Sequence, residues 1–308
     1  ELLFFLGIAC FGFEKNVYEG SYFRFLLPDF MEQILKYSTL LLFMSAIVVK
    51  KRRRKYFFRE IALFLIVTSI SVIVGNTTLI LLGMAIFASM DIEFDKIVNV
   101  CLKVNIICIM IVIFSCIAGA IPNIKFEHDG EIAWSMGYFY YSNFAYQSFF
   151  ALISALYLRK RKMKDILGYS IASFMIYKIT TVRLTFYFSL IFIVMLVVSH
   201  KLTNKIWCRM GTVMFPCAAV GSIIIAYLYG TNNAIINKMN FILLNRIKFS
   251  YWALINNGIT MFGNHIETSE ALTSGTTKDW STYFYVDSGY IYTLVEYGII
   301  VFLFIVVA

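Results

Sequence analysis

Long unbroken runs of apolar residues are the feature that most limits what this chain can fold into. The composition agrees with them, because 60% of the residues are hydrophobic, only 15% are charged and the mean hydropathy is +0.77. A soluble domain is roughly half apolar and about a quarter charged. In lipid the backbone must satisfy its own hydrogen bonds, so only helices or closed barrels can span a membrane. The runs lack the period-2 alternation of barrel strands. The sequence therefore predicts an all-α, polytopic transmembrane protein.

A helix that crosses a membrane needs roughly 20 apolar residues. The apolar runs predict about ten such spans, near 2–13, 33–49, 57–75, 78–90, 102–121, 144–158, 166–180, 184–200, 210–230 and 288–308. The run 78–90 is short, since at about 1.5 Å per residue it covers about 20 Å of a roughly 30 Å hydrocarbon core. It must tilt, use its flanking residues or pair with 57–75. We expect one membrane domain over residues 1–308.

Clusters of Lys and Arg beside these runs predict the orientation. Such clusters favour the cytoplasmic side, and they occur at 50–55, 159–164 and 201–209. An even number of predicted spans separates the first cluster from the second, and the second from the third. All three clusters can therefore lie in the cytoplasm. The outer side then receives 14–32, 122–143, 180–183 and the long segment 231–286.

Several classes of function find no site in the sequence. The net charge is +9, and the basic residues stand in short segments beside the apolar runs. This is the pattern that sets the orientation of a protein in a membrane, so we expect no nucleic-acid partner. The chain has no G-x-x-x-x-G-K loop and no G-x-G-x-x-G turn for a nucleotide. The six cysteines lie in or at the ends of apolar runs without a CxxC pair, which predicts small core residues. We expect no cofactor and no metal. We also predict that the reaction takes place on the outer side of the membrane.

Candidate side chains collect on the predicted outer side. They are Arg183, Arg246, Lys248, His265, Glu267, Asp287, Trp252 and several tyrosines. Arginine binds phosphate and carboxylate bidentately, and aromatic rings offer flat faces to sugars. Around these residues the spacing predicts an amphipathic outer helix, a glycine turn, a polar loop and a helix that re-enters the membrane.

Simpler interpretations of the same residues stay open. Arg183 has the position of an interfacial snorkelling arginine. Asp287 has the position of an N-cap for the re-entering helix. His265 and Glu267 also fit ordinary loop polarity.

A set of short motifs resembles a known family. The motifs are Thr181-Val182-Arg183, Arg246 near the start of the long outer segment, Phe262-Gly263, Val286-Asp287-Ser288-Gly289-Tyr290, Glu296-Tyr297-Gly298-Ile299, and the upstream Met136-Gly137-Tyr138 with Asn143. In this order they resemble Wzy-type O-antigen and capsular-polysaccharide polymerases, especially the Gram-positive ones, over roughly residues 130–308. Tyr141-Ser142 stand where the family's upstream loop has His-Pro. The spacing from Arg246 to Gly258 is one residue off the family's Arg-x10-Gly.

The resemblance implies a metal-independent, GT-C-like membrane glycosyltransferase with a long extracytoplasmic loop. Its substrate would be undecaprenyl-pyrophosphate-linked oligosaccharide repeat units, joined on the outer face of a bacterial cytoplasmic membrane. Membrane lipid, a flippase and a chain-length regulator are the other partners that it implies.

Residue roles follow from this resemblance. Arg183 and Arg246, with Lys248 as a weaker third, would stabilise the leaving pyrophosphate. Asp287 is the first candidate for the base that takes the acceptor proton, and His265 and Glu267 are the next. The remaining substrate-binding candidates are Tyr138, Asn143, Trp252, Gly263 and Tyr290.

Two other functions stay open. A flippase for the same lipid-linked units would carry charged residues buried in mid-helix and repeated halves. We interpret Lys103, Lys178 and Glu296 as lying near helix ends or snorkelling, and we see no repeat. A ligase that transfers finished polymer would share the architecture and much of the loop pattern.

Overall fold

The structure, a computed structural model, describes the chain in separate stretches. They are residues 1–49, 54–75, 77–128, 131–159, 163–199, 204–243, 245–266 and 284–307. The chain divides into two compact units, Glu1–Lys55 with Met84–Leu202, and Tyr56–Gly83 with Thr203–Ala308. Parts of the predicted basic clusters (50–53, 160–162 and Lys201) and the candidate Glu267 fall outside the described residues.

The described residues are mostly helical. In chain order the elements are α1 (Leu2–Phe13), a π-helix (Glu14–Glu19), α2 (Phe23–Leu26), α3 (Phe30–Val49), α4 (Arg54–Val74), α5 (Thr77–Ser89), α6 (Phe94–Ile117), β1 (Lys125–His128), β2 (Glu131–Trp134), α7 (Tyr141–Leu158), α8 (Met163–Thr180), α9 (Arg183–Ser199), α10 (Asn204–Tyr229), α11 (Ala234–Ile242), α12 (Arg246–Asn257), α13 (Gly289–Glu296) and α14 (Gly298–Val307). Each predicted apolar run lies on a helix, and the last run lies on two.

Three described helices are long and apolar enough to cross a membrane. They are Phe30–Val49, Phe94–Ile117 and the Thr212–Tyr229 part of α10, and only 11% of each apolar window is buried within the protein. Apolar side chains that the protein leaves exposed along a whole helix are expected where lipid surrounds them. The composition and these helices together indicate a membrane protein.

The first unit packs its helices in sequence. Helix α1 lies against α3 and α6, α6 lies against α7, and α7, α8 and α9 all contact one another. A buried cluster fixes the meeting point of the π-helix, α6 and the segment before α7. Its members are Val17, Cys108, Val112, Ile121, Tyr138 and Phe144.

A short hairpin interrupts the helices of the first unit, and the all-α prediction did not include it. Strands β1 and β2 pair antiparallel, with Lys125 opposite Trp134 and His128 opposite Glu131. The Nζ of Lys125 lies 4.6 Å from the centre of the Trp134 ring. The signal was present in the sequence, because Asp-Gly between two short alternating runs is a strong hairpin pattern.

The second unit is built around α10, which packs against α12, α13 and α14. Its main core joins residues of these helices to Ile266 and Val286 from the adjoining segments. The segment 231–286, predicted as a long loop, contains α11 and α12 among its described residues.

The predicted span 288–308 is not one helix. Helix α13 ends at Glu296, and α14 begins at Gly298, whose φ is +81°. A residue with positive φ cannot continue an α-helix. The prediction of a single continuous helix here is therefore wrong, and the break becomes part of the site described below.

Candidate active site

Helices α12 and α13 lie side by side and run in the same direction. At their N-terminal ends, Arg246 of α12 pairs with Asp287 just before α13. At their C-terminal ends, Asn264 donates its backbone N–H to the Val295 carbonyl at 2.8 Å and its side-chain amide to the Asn257 carbonyl at 2.6 Å. Charged or polar groups therefore mark both ends of the helix pair.

The start of α12 is fixed by a residue of α11. Asn240, which is 6% exposed, accepts the backbone N–H of Lys248 at 2.9 Å and donates to the Asn245 side chain at 3.0 Å. Asn245 itself is left-handed, with φ of +65°, and makes no side-chain cap. Asn240 thus satisfies a donor that a helix start normally leaves unpaired. It holds the first turn of α12 in place.

Arg246 and Asp287 form an ion pair at the protein surface. The Nε of Arg246 lies 3.1 Å from Oδ2 of Asp287, and the two side chains are 30% and 33% exposed. Partial burial raises the pKa of the Asp287 carboxyl, and the Arg246 guanidinium lowers it in part. The guanidinium is oriented by the carboxylate and still reaches solvent.

Asp287 is not the cap of the helix that follows it. Ser288 occupies the N-cap position, and its hydroxyl accepts the Ile291 backbone N–H at 3.5 Å. The capping interpretation of Asp287 is wrong because its carboxylate turns to Arg246, one residue away from the position that can cap.

Two of the predicted binding aromatics have defined surroundings. The Nζ of Lys248 lies 4.3 Å from the centre of the Trp252 ring, and Trp252 is 38% exposed. Tyr290 packs edge-on against Phe215 of α10, with ring centres 5.2 Å apart. Trp252 therefore offers a partly open ring beside a cation, whereas Tyr290 is half-buried against α10.

The break between α13 and α14 is closed by residues 260–264. After the break, the Ile299 backbone N–H donates to the Thr260 carbonyl at 3.0 Å. Before the break, the Val295 carbonyl accepts the Asn264 backbone N–H. The two chain segments touch backbone to backbone at Gly263 and Gly298, where an added Cβ would overlap backbone atoms of the other segment. Both glycines have positive φ. We call residues 260–266 the clasp. Gly263, predicted to bind substrate, lies in it and is buried against the helix break.

The clasp contains a histidine that contacts a buried carboxylate. The Nδ1 of His265 lies 3.2 Å from Oε1 of Glu296, and the Ile266 backbone N–H donates to Oε2 at 2.7 Å. The Glu296 side chain is 1% exposed, and His265 is 65% exposed. The prediction that Glu296 lies near a helix end is confirmed, because α13 ends at this residue. Glu296 does not snorkel, since its side chain is buried under the clasp.

The two charged pairs lie apart. Asp287 precedes α13 and Glu296 is the last residue of that eight-residue helix, which at about 1.5 Å per residue is about 12 Å long. The Arg246 pair and the His265 pair thus stand at opposite ends of α13. A ligand that reaches both must be extended.

The other predicted site residues lie in the first unit. Arg183 is the exposed first residue of α9, just after Thr181, whose φ is +53°. Asn143 donates to the Gly20 carbonyl at 3.3 Å from α7. Tyr138 is completely buried in the core of that unit, so it presents no ring face to a ligand.

Comparison with family models, with curated protein sequences and with solved structures finds no match to this chain.

Proposed function

We propose that the protein is a membrane glycosyltransferase that polymerises undecaprenyl-pyrophosphate-linked oligosaccharide repeat units on the outer face of the bacterial cytoplasmic membrane. The motif resemblance over residues 130–308 gives the reaction class. The observation that carries the proposal is the Arg246–Asp287 pair at the start of α12, an oriented and accessible guanidinium. In this proposal the chain crosses the membrane about ten times, in a GT-C-like arrangement.

The reaction assigns a role to that guanidinium. The bond between C1 of the terminal sugar and the pyrophosphate oxygen breaks, and a bond from C1 to an acceptor hydroxyl oxygen forms. The electron pair leaves with the lipid pyrophosphate, whose growing negative charge an oriented cation stabilises. Arg246 serves this role in the second unit, and Lys248, two positions later on the same helix, is the weaker candidate. Arg183, in the first unit, is a separate candidate cation that its own variant tests.

Sugar binding fits the surface beside Lys248. Trp252 is partly exposed next to Lys248, and an aromatic face next to a cation suits a sugar attached to a phosphate. Trp252 is therefore our main candidate for holding the repeat unit.

The flippase alternative gains one supporting feature, because Glu296 is a buried charge within a broken helix. Its carboxylate, however, binds Ile266 and His265 of the clasp. A carboxylate engaged in this way holds a loop in place, and we retain the polymerase proposal.

The test is a polymer-length profile in a strain that lacks the chromosomal copy and carries variants instead. Arg246→Ala and Arg183→Ala should each leave single repeat units, with normal amounts of protein in the membrane. Lys238→Ala, an exposed basic residue on α11, is the matched control and should give full-length polymer. Full-length polymer from both arginine variants would overturn the proposal. Loss of all surface sugar would indicate a flippase, and long polymer retained on its lipid would indicate a ligase.

A further inference from the structure

The contact between His265 and Glu296 fixes which ring nitrogen can accept a proton. Glu296 is buried and bears two acceptor oxygens, one of which takes the Ile266 backbone N–H. The other faces Nδ1 of His265 at 3.2 Å. A carboxylate accepts only, so the neutral imidazole must carry its proton on Nδ1 to bond with it. The lone pair then lies on Nε2, at the exposed end of the ring.

From this geometry we propose that His265 is the base that deprotonates the acceptor hydroxyl and that Glu296 is its positioning residue. The inference rests on the proposed polymerase function. It replaces Asp287 as the first choice of base and gives a role to Glu296, which belongs to one of the motifs but was not among the predicted site residues. In the step, the hydroxyl proton moves to Nε2, the hydroxyl oxygen bonds to C1, and the lipid pyrophosphate departs with the electron pair of the broken bond.

The placement of the two pairs favours His265 over Asp287. In a direct displacement the acceptor attacks from the face of the sugar opposite the leaving group. A base must be within hydrogen-bond reach of the attacking hydroxyl. Asp287 lies 3.1 Å from the guanidinium that would bind the leaving pyrophosphate, so it stands on the wrong side. His265 contacts Glu296 at the other end of α13, a helix of eight residues that is about 12 Å long.

The fold also explains why the histidine is held in one orientation. The clasp is fixed on both sides of His265, by the Asn264 bonds to Val295 and Asn257 and by the Ile266 bond to Glu296. Ile266 itself is 2% exposed within the core of the second unit. An exposed ring on such a rigid segment loses little freedom when a substrate arrives.

The first part of the test needs no substrate. The chain contains three histidines, so replacing His128 and His200 with Gln leaves one ¹⁵N-labelled imidazole in the purified full chain. At a pH where this imidazole is neutral, its ¹⁵N shifts should show the proton on Nδ1. Glu296→Gln should move it to Nε2, because the Gln amide can accept from Ile266 while donating to Nδ1. A wild-type proton on Nε2 would overturn the inference.

The second part uses the repeat units of the deletion strain as the probe. His265→Ala should slow chain elongation by roughly 100-fold or more, as loss of a general base does. Imidazole in the medium should restore part of it, because the ring that it replaces is exposed. Glu296→Gln should also slow elongation and should not respond to imidazole, which a purely structural role of His265 would not predict.

Arg246→Ala separates the assignment of His265 as the base from the polymerase proposal itself. Full-length polymer from His265→Ala, alongside single units from Arg246→Ala, would overturn the assignment of the base and leave the polymerase proposal standing. Full-length polymer from both would remove the second-unit site from the reaction. If Glu296→Gln does not accumulate, the wild-type tautomer and the imidazole response of His265→Ala decide the question.

Discussion

The Arg246 Nε lies 3.1 Å from Oδ2 of Asp287, and this contact joins the first residue of α12 to the segment that leads into α13. The two residues are 41 positions apart in the sequence. The pair therefore both orients a cation and fixes the common starting point of two helices.

Asp287 should make stability depend on pH in a specific direction. Partial burial raises its carboxyl pKa in the folded protein, although Arg246 opposes the shift. A raised pKa means that the folded state binds the proton more tightly than the unfolded chain. The resulting stabilisation is present below the ordinary carboxyl pKa and is lost as pH rises through the raised value. Asp287→Asn should remove this dependence.

Thermal unfolding in detergent across the acidic range measures the effect. The stability of the wild type, relative to Asp287→Asn, should fall as pH rises through that window. Asn237→Ala, on an exposed and uncharged side chain of the same unit, is the control and should leave the pH dependence as in the wild type. A wild-type curve parallel to that of Asp287→Asn would contradict the prediction.

Replacing three glycines with alanine, one at a time, should distinguish the stability cost of backbone strain from the stability cost of steric overlap. Gly289→Ala meets open space at an ordinary φ and should be nearly neutral. Gly258→Ala also meets open space, but its φ is +69° and its ψ is −178°, which should cost about 1–3 kcal/mol. Gly263→Ala adds an overlap with the Glu296 carbonyl to its positive φ, and it should cost the most.

The order of the three melting temperatures checks this prediction. Each variant is purified in the same detergent, so the comparison needs no absolute free energy. If Gly263→Ala melts no lower than Gly258→Ala, the clasp does not press against the helix break as described.

Asn240 should stabilise α12 from outside the helix. Asn240→Ala removes the acceptor for the Lys248 backbone N–H and should cost about 1 kcal/mol, the usual value of an N-cap. Asn237→Ala, an exposed asparagine of the same helix α11, should have almost no effect on the melting temperature. If both variants lower the melting temperature equally, Asn240→Ala acts by changing the helicity of α11. The hydrogen bond from the Lys248 backbone N–H would then not be the cause.

Orientation can be tested by labelling single cysteines on intact cells, in a background from which the native cysteines have been removed. A membrane-impermeant thiol reagent should reach introduced cysteines in 264–282 and should not reach those in 50–55. This follows from the placement of the basic clusters in the cytoplasm. Labelling of 50–55 alone would put the proposed reaction on the cytoplasmic side.

The positions of the helices could be predicted from hydropathy because apolar runs with few prolines have no other stable form in lipid. The interruption at Tyr297 could not. A lone glycine in an apolar run is a weak breaking signal. Here the break is stabilised by the Thr260 carbonyl, which accepts from Ile299, and by the Asn264 N–H, which donates to Val295, both more than 30 residues earlier in the chain.

The candidate site was predictable in its residue types and not in its pairings. The sequence singled out Arg246, Asp287 and His265 as separate outer residues. That Arg246 orients on Asp287, and that Glu296 turns inward to His265, depends on which ends of α12 and α13 meet. Neither periodicity nor charge patterning contains that information.

The close approach of Gly263 to Gly298 limits how a chain of this kind can diverge. When a side chain outgrows its pocket, a neighbouring side chain can usually shrink to compensate. Here each glycine faces main-chain atoms of the other segment, and main chain cannot shrink. The two positions should therefore be kept or lost together, with the Glu296 contact. That joint pattern would identify relatives whose hydropathy alone does not distinguish them from other membrane proteins.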